Sequence, residues 1–172
     1  MIISNTVNDF TNNFPLSIPF IELYYEKNHK EFSDAGIRQD NLMKRASYTM
    51  NQLQFDMPMI LKLNTKFVHI IFDIRLKFLK QYNTYLTPEI YLLIGSYETQ
   101  AILPHNKIPS IYFFMEAISQ NADYVYEIVA YYFAKLYLQI THLNEDTLKQ
   151  EDEMIYQILN EMNIDFPYNM NN

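Results

Sequence analysis

The amino-acid sequence predicts an α+β fold: a mostly helical single domain spanning residues 1–172, with a small β-sheet. Three observations lead there. Apolar residues recur at spacings of three and four through most of the chain, the period of helices with one buried face. That period breaks twice, at Ile90-Tyr91-Leu92-Leu93-Ile94-Gly95 and at Ile111-Tyr112-Phe113-Phe114-Met115, short apolar runs that read as buried strands. Finally, 172 residues of which 49% are apolar suit one sizeable core and exclude global disorder. Two glycines are too few for a Gly-rich phosphate loop, a dinucleotide fingerprint or a series of tight hairpins.

Residues 1–19 are expected to be irregular: Asn5, Asn8, Asn12 and Asn13 alternate with Val7, Phe10 and Phe14, and Pro15 and Pro19 close the segment. A short helix over 20–31 follows (Phe20, Leu23, Tyr24), ended by Asn28-His29-Lys30-Glu31. Ser33 or Asp34 then caps a second helix over 35–53, with Leu42, Ala46, Met50 and Leu53 on one stripe and Lys44 and Arg45 off it. Pro58 suits the first turn of a third helix, where its missing N–H costs nothing. Phe67, Ile71, Ile74, Phe78 and Tyr82 continue as one apolar face, with Lys66, His69, Asp73, Lys77 and Lys80 elsewhere. Thr87-Pro88 stops this helix ahead of strands at 89–95 and 110–117, separated by a loop from Tyr97 to Pro109. A long helix over 122–141 comes next. Asn144-Glu145-Asp146 opens a last helix, its acids placed well for the helix dipole, with Leu148, Ile155, Leu159 and Met162 on its apolar side. Residues 165–172 read as a frayed tail.

Thirteen Lys and Arg against 20 Asp and Glu give a net charge of −7, which repels phosphate backbones, and no basic patch offsets it. A nucleic-acid partner is therefore not expected. The absence of cysteine removes disulfides, thiolate catalysis, Cys-ligated zinc and iron–sulfur clusters together. The first cationic side chain is Lys27, so the start lacks the charged segment of a secretory signal. No run of about 18 apolar residues offers a membrane span. The expected location is the cytoplasm.

Among candidate chemistries, the four histidines (His29, His69, His105, His142) include no pair at i and i+4, so no helix presents a two-imidazole metal face. Ser96 follows Gly95 without forming a Gly-x-Ser-x-Gly elbow. Glu151-Asp152-Glu153 reads as a solvated face. The helix over 122–141 is the informative element: Asp123, Glu127, Tyr131, Lys135 and Gln139 recur every four residues on an otherwise apolar cylinder. Such a seam either faces solvent or lines an internal site.

The two strand runs, with Glu116 closing the second, and the helix Tyr126-Glu-Ile-Val-Ala-Tyr-Tyr-Phe-Ala-Lys-Leu-Tyr137 resemble the core of a bacterial family of predicted zinc-dependent proteases. In that family two strands precede a helix centred on Val-Ala-His-Glu-x-x-His, the zincin pattern. The resemblance covers roughly residues 88–142, carried mostly by Val129-Ala130 and by the strand–strand–helix order. At the motif positions this chain has Tyr131, Tyr132 and Lys135 in place of His, Glu and His. Zinc needs two imidazoles one turn apart, and water activation needs a carboxylate beside them. The resemblance therefore implies a zincin-like domain without catalytic residues, cofactor or metal, whose vestigial site comprises Tyr131, Tyr132, Lys135, Glu116 and Glu153. It also implies an acidic former ligand on a later helix, at Glu153 or Glu161. Lys135 either neutralises a carboxylate left behind by the metal or snorkels to solvent, and the two tyrosines fill the former cavity or pack in the core. The implied function is binding of a protein partner. Two further readings are a hydrolase drawing carboxylates from Glu98, Glu116 and Glu127, and a small acidic interaction protein of immunity, antitoxin or phage type.

Overall fold

The computed structural model describes residues 1–141 and 151–166. Helices dominate, with a four-stranded mixed sheet, so the fold is α+β. Contacts group the chain into two compact units: Met1–Lys66 with Pro88–Asp123, and Phe67–Thr87 with Tyr124–Asn172.

The first unit holds the sheet. Strand β1 (Ile2–Asn5) lies parallel to β2 (Glu89–Leu93), which lies parallel to β4 (Ser110–Phe114). The two-residue β3 (Ala101–Ile102) runs antiparallel on the outer edge of β4, giving the order β1-β2-β4-β3. Parallel strands covered on both faces read as continuous apolar runs, which is why β2 and β4 were readable. Every residue of β4 is buried. The irregular segment expected over 1–19 is corrected by β1. Its ends are tied in by the Met1 amino group on the Pro88 carbonyl (2.8 Å) and by Thr6 N–H on the Leu92 carbonyl (3.0 Å). Four residues beside a run of asparagines carry too little periodicity to announce an edge strand.

The helix expected over 20–31 is two helices, α1 (Ile18–Lys27) and α2 (His29–Asp34). Ser17 caps α1 by accepting the Phe20 N–H. Asn28 breaks the run because its side-chain amide donates to the Tyr24 carbonyl (2.9 Å), competing with continued helix. Ser33 and Asp34 lie inside α2 and cap nothing. Instead Gly36, at φ +80°, closes α2 with paired bonds from Gly36 N–H to Ser33 and from Ile37 N–H to Phe32.

Helix α3 (Gln39–Tyr82) is continuous for 44 residues, and Pro58 sits inside it rather than opening a third helix. A proline there removes one hydrogen bond and crowds a carbonyl, at about 3 kcal/mol. Leu53, Met57, Ile60, Leu63 and Phe67 stay buried in one helical phase across it. At about 1.5–3 kcal/mol for each side chain, that stripe outweighs the proline. Strand β4 ends at Phe114, short of the expected Ala117, because the short helix α4 (Met115–Ser119) begins there.

The second unit packs the last part of α3 with α5 (Val125–Thr141) and α6 (Glu151–Glu161), a 3-10 turn at 122–124 leading into α5. Lys77 donates to the Met162 carbonyl (3.2 Å), Tyr82 donates to Glu161 (2.6 Å), and the Tyr126 hydroxyl donates to Asp73. Asn163, at φ +54°, ends α6 with the same paired bonds that Gly36 makes. The opening of the last helix at Asn144 and the tail beyond Phe166 lie outside the described residues. Phe166 itself is not frayed: its ring packs on Tyr131 (5.3 Å) and Tyr156 (5.7 Å).

Candidate functional site

Tyr131 and Lys135, in the middle of the polar seam, meet α6. Glu127, Tyr131, Lys135 and Gln139 are half-buried, and Asp123 is exposed. The Tyr131 hydroxyl donates to Asp152 (2.8 Å), and the Lys135 ammonium stands 3.5 Å from Glu151. Burial, then the Asp152 carboxylate, pushes the Tyr131 phenol well above its ordinary range, so it remains a neutral donor. Its ring meets Tyr132 edge-on at 5.4 Å. The expectation of a solvated Glu151-Asp152-Glu153 face is corrected in part. Glu151 is half-buried beside Lys135, whereas Asp152 and Glu153 are exposed as expected, Asp152 while accepting from Tyr131. Glu153 and Asp152 border a groove of about 660 Å³ along α6, with Tyr156, Asn160 and Phe166. Glu161, the other candidate ligand, instead takes hydrogen bonds from Tyr82 and Gln157 (2.9 Å). The acids meeting residues 131 and 135 are thus Asp152 and Glu151.

A phenol, a second phenol and an ammonium do not fit a zinc ion: none is a neutral nitrogen or thiolate ligand at neutral pH. Among the described residues no three His, Asp or Glu side chains converge as metal ligands. His29, His69 and His105 are exposed, and His142 lies outside the described residues.

Glu116 belongs to the sheet unit and organises a second cluster there, at the carboxyl ends of β2 and β4. It is fully buried. Its Oε1 accepts the Tyr97 N–H (3.2 Å), and its Oε2 has no hydrogen-bond partner among the described residues. Burial raises its carboxyl to about 7, against the pull of backbone N–H groups at Gly95 and Tyr97. The segment it meets is also gripped from two helices, α1 and α3. The Tyr24 hydroxyl accepts the Ile94 N–H (2.9 Å), and the Tyr25 hydroxyl donates to the Gly95 carbonyl (2.7 Å). Arg45 Nε donates to the Ser96 carbonyl (3.0 Å) and pairs with Glu98 (3.5 Å). Tyr97, held at φ +63°, donates to Asp56 (2.9 Å), which also accepts from Gln120 (2.8 Å). Of the three carboxylates named for a hydrolase, Glu98 is ion-paired, Glu116 is enclosed, and Glu127 lies in the other unit.

Sequence reasoning missed Arg45, Asp56, Tyr97 and Gln120 here. A glycine at the end of the apolar strand run, one of only two in the chain, was the available signal. A Cβ on Gly95 would stand 2.9 Å from both Glu116 Oε1 and a Phe114 ring carbon. Both neighbours are buried and cannot swing away, so Gly95→Ala is expected to lose about 1–3 kcal/mol in urea unfolding. A loss below about 0.5 kcal/mol would mean that the close approach is absent in solution.

Comparison with known proteins finds no matching family model, curated protein or solved structure.

Proposed function

We propose that the chain is a non-catalytic zinc-peptidase-like domain, a pseudo-metalloprotease, that acts by binding another protein. One observation supports this above others. Residues 131 and 135, one turn apart on α5 where the resembling proteases carry imidazoles, are each engaged by a carboxylate from the first turn of α6. The Lys135 ammonium places positive charge beside acids that a metal would otherwise satisfy, and the Tyr131 ring packs among Tyr132, Tyr156 and Phe166. Among the described residues no helix is long and apolar enough to cross a membrane.

Reversal of the seam is the test. Tyr131→His, Tyr132→Glu and Lys135→His in one variant restore two imidazoles at i and i+4, with Asp152 or Glu151 within reach as a third ligand. Calorimetric zinc titration is expected to show weak binding by this variant and none by the wild type, because no supporting shell was built for the metal. A folded variant that takes up no more zinc than the wild type counts against the vestigial site. Wild-type protein purified with about one tightly held zinc per chain would overturn the inactive-site reading.

A further inference from the structure

Residues 94–98 leave the sheet at the end of β2 and cover the buried Glu116 carboxyl. Their backbone is held by side chains. The Tyr24 and Tyr25 hydroxyls of α1 hold Ile94 and Gly95, Arg45 of α3 holds Ser96, and Glu116 itself holds the Tyr97 N–H. The Tyr97 hydroxyl, reaching Asp56 on α3, is the outer clasp. Each of these is a single bond of modest net strength, and the pairing of β2 with β4 ends at Leu93 and Phe114, so the segment can lift without undoing the sheet. Two features oppose the closed position. Tyr97 is held at φ +63°, a conformation a bulky residue adopts only at a cost. Glu116 Oε2 has no hydrogen-bond partner among the described residues, although the side chain is fully enclosed. Gly95 packs so close that a Cβ would stand 2.9 Å from Oε1, so backbone seals the carboxyl.

We propose that residues 94–98 are a proton-operated strap, closed over Glu116 while that carboxyl is neutral and released locally, with the rest of the chain folded, when it ionises. An ionised Glu116 under the closed strap is a buried charge. From α1 it faces only the hydroxyls of Tyr24 and Tyr25, both pushed upward by burial. From α3 come Arg45, engaged by Ser96 and Glu98, and Asp56, engaged by Tyr97 and Gln120. The strap adds Tyr97, also pushed upward by burial, and Glu98. Among the described residues no cation pairs with the Glu116 carboxylate. Backbone N–H groups of Gly95, Tyr97, Glu116 and Ala117 offset part of the burial, yet the carboxyl keeps its proton up to about 7. Lifting the strap hydrates both oxygens and frees Tyr97 from its left-handed backbone. Acid therefore closes the strap, and alkali opens it and uncovers the carboxyl ends of β2 and β4. The device goes beyond the protein-binding reading and does not depend on the α5 seam.

A carboxyl that titrates at about 7 under the closed strap and at 4.5 in the open one favours opening about 70-fold more at pH 8 than at pH 5. Amide hydrogen exchange on the whole chain, followed by NMR at those two pH values where reclosing outpaces exchange, reads the opening at the Ile94 and Tyr97 N–H groups. After correction for the intrinsic pH dependence of exchange, protection of both amides should fall about 70-fold in the wild type. In Glu116→Gln, which cannot ionise, it should change less than about threefold. The amides of Leu53 and Ile60, in the buried stripe of α3, should stay better protected than both at either pH. Tyr97→Phe keeps the carboxyl and removes the clasp to Asp56, so the Ile94 amide should lose protection at both pH values while the ratio between them is kept. Level protection in the wild type, or an equal fall in Glu116→Gln, overturns the proposal. So do strap amides that exchange no faster than Leu53 and Ile60 at pH 8, since the segment would then open only with the whole chain. Should Glu116→Gln fail to fold, Tyr97→Phe decides: an Ile94 amide as protected as in the wild type overturns the strap.

Discussion

Phe78→Ala is expected to lose about 3–5 kcal/mol of stability, the range for truncating an aromatic ring in a core that cannot collapse around the gap. Phe78 is fully buried, and its ring meets Tyr82 at 5.8 Å and Tyr137 at 5.5 Å. Those two tyrosines stack on each other at 5.0 Å, so the pocket is walled by rings already in mutual contact. Phe72→Ala provides the internal comparison. It removes the same ring from the same helix, but from an exposed position, and should cost less than about 0.5 kcal/mol. Paired urea unfolding curves measure both. A loss under about 1 kcal/mol at Phe78 would mean that the neighbouring rings close the cavity.

What could be read from the sequence followed the strength of each periodic signal. The stripe through Phe67, Ile71, Ile74 and Phe78 and the two central strands were readable because burial on a fixed period leaves little choice of residue. The amino-terminal strand was not, because an edge strand of four residues is held by backbone bonds to Pro88 and Leu92 that any residue type can make. Pro58 misled for a different reason. A local rule puts proline at a helix start, but the burial of Met57 and Ile60 on either side of it is a tertiary quantity, and it wins.

The α5 seam shows the same division. Its four-residue spacing was visible, and so was the pairing of Tyr131 with Lys135 on one face. Which acids would meet them was not, since one residue along α6 turns a side chain by about 100°. Asp152, though exposed like its neighbour Glu153, therefore reaches Tyr131. Glu116 was named from its place after the second strand, but its partners Gly95 and Tyr97 come together only when β2 and β4 pair in register from Glu89 with Ser110 to Leu93 with Phe114.

That pairing gives Glu116 a measurable signature. Its carboxyl rises from 4.5 to about 7 on folding because it is buried, so the folded chain holds this proton where the unfolded chain has lost it. The native state then binds more protons between these two values. The contribution is complete below about pH 4.5, falls as the pH rises, and is exhausted above about 7. The loss across that window is on the order of 3 kcal/mol. The tyrosines around it do not mask this: Tyr24, Tyr25 and Tyr97 are all pushed upward by burial and stay neutral. Glu116→Gln keeps a carbonyl oxygen for the Tyr97 N–H and removes the titration. Urea unfolding at about pH 5 and about pH 8 should therefore show the wild type losing about 3 kcal/mol more than the Gln variant between the two conditions. Asp56, Glu98 and the remaining carboxylates are common to both proteins and cancel in that difference. Equal losses would mean that the Glu116 carboxyl is hydrated in solution, and the enclosed cluster at the ends of β2 and β4 would have to be redrawn as an open one.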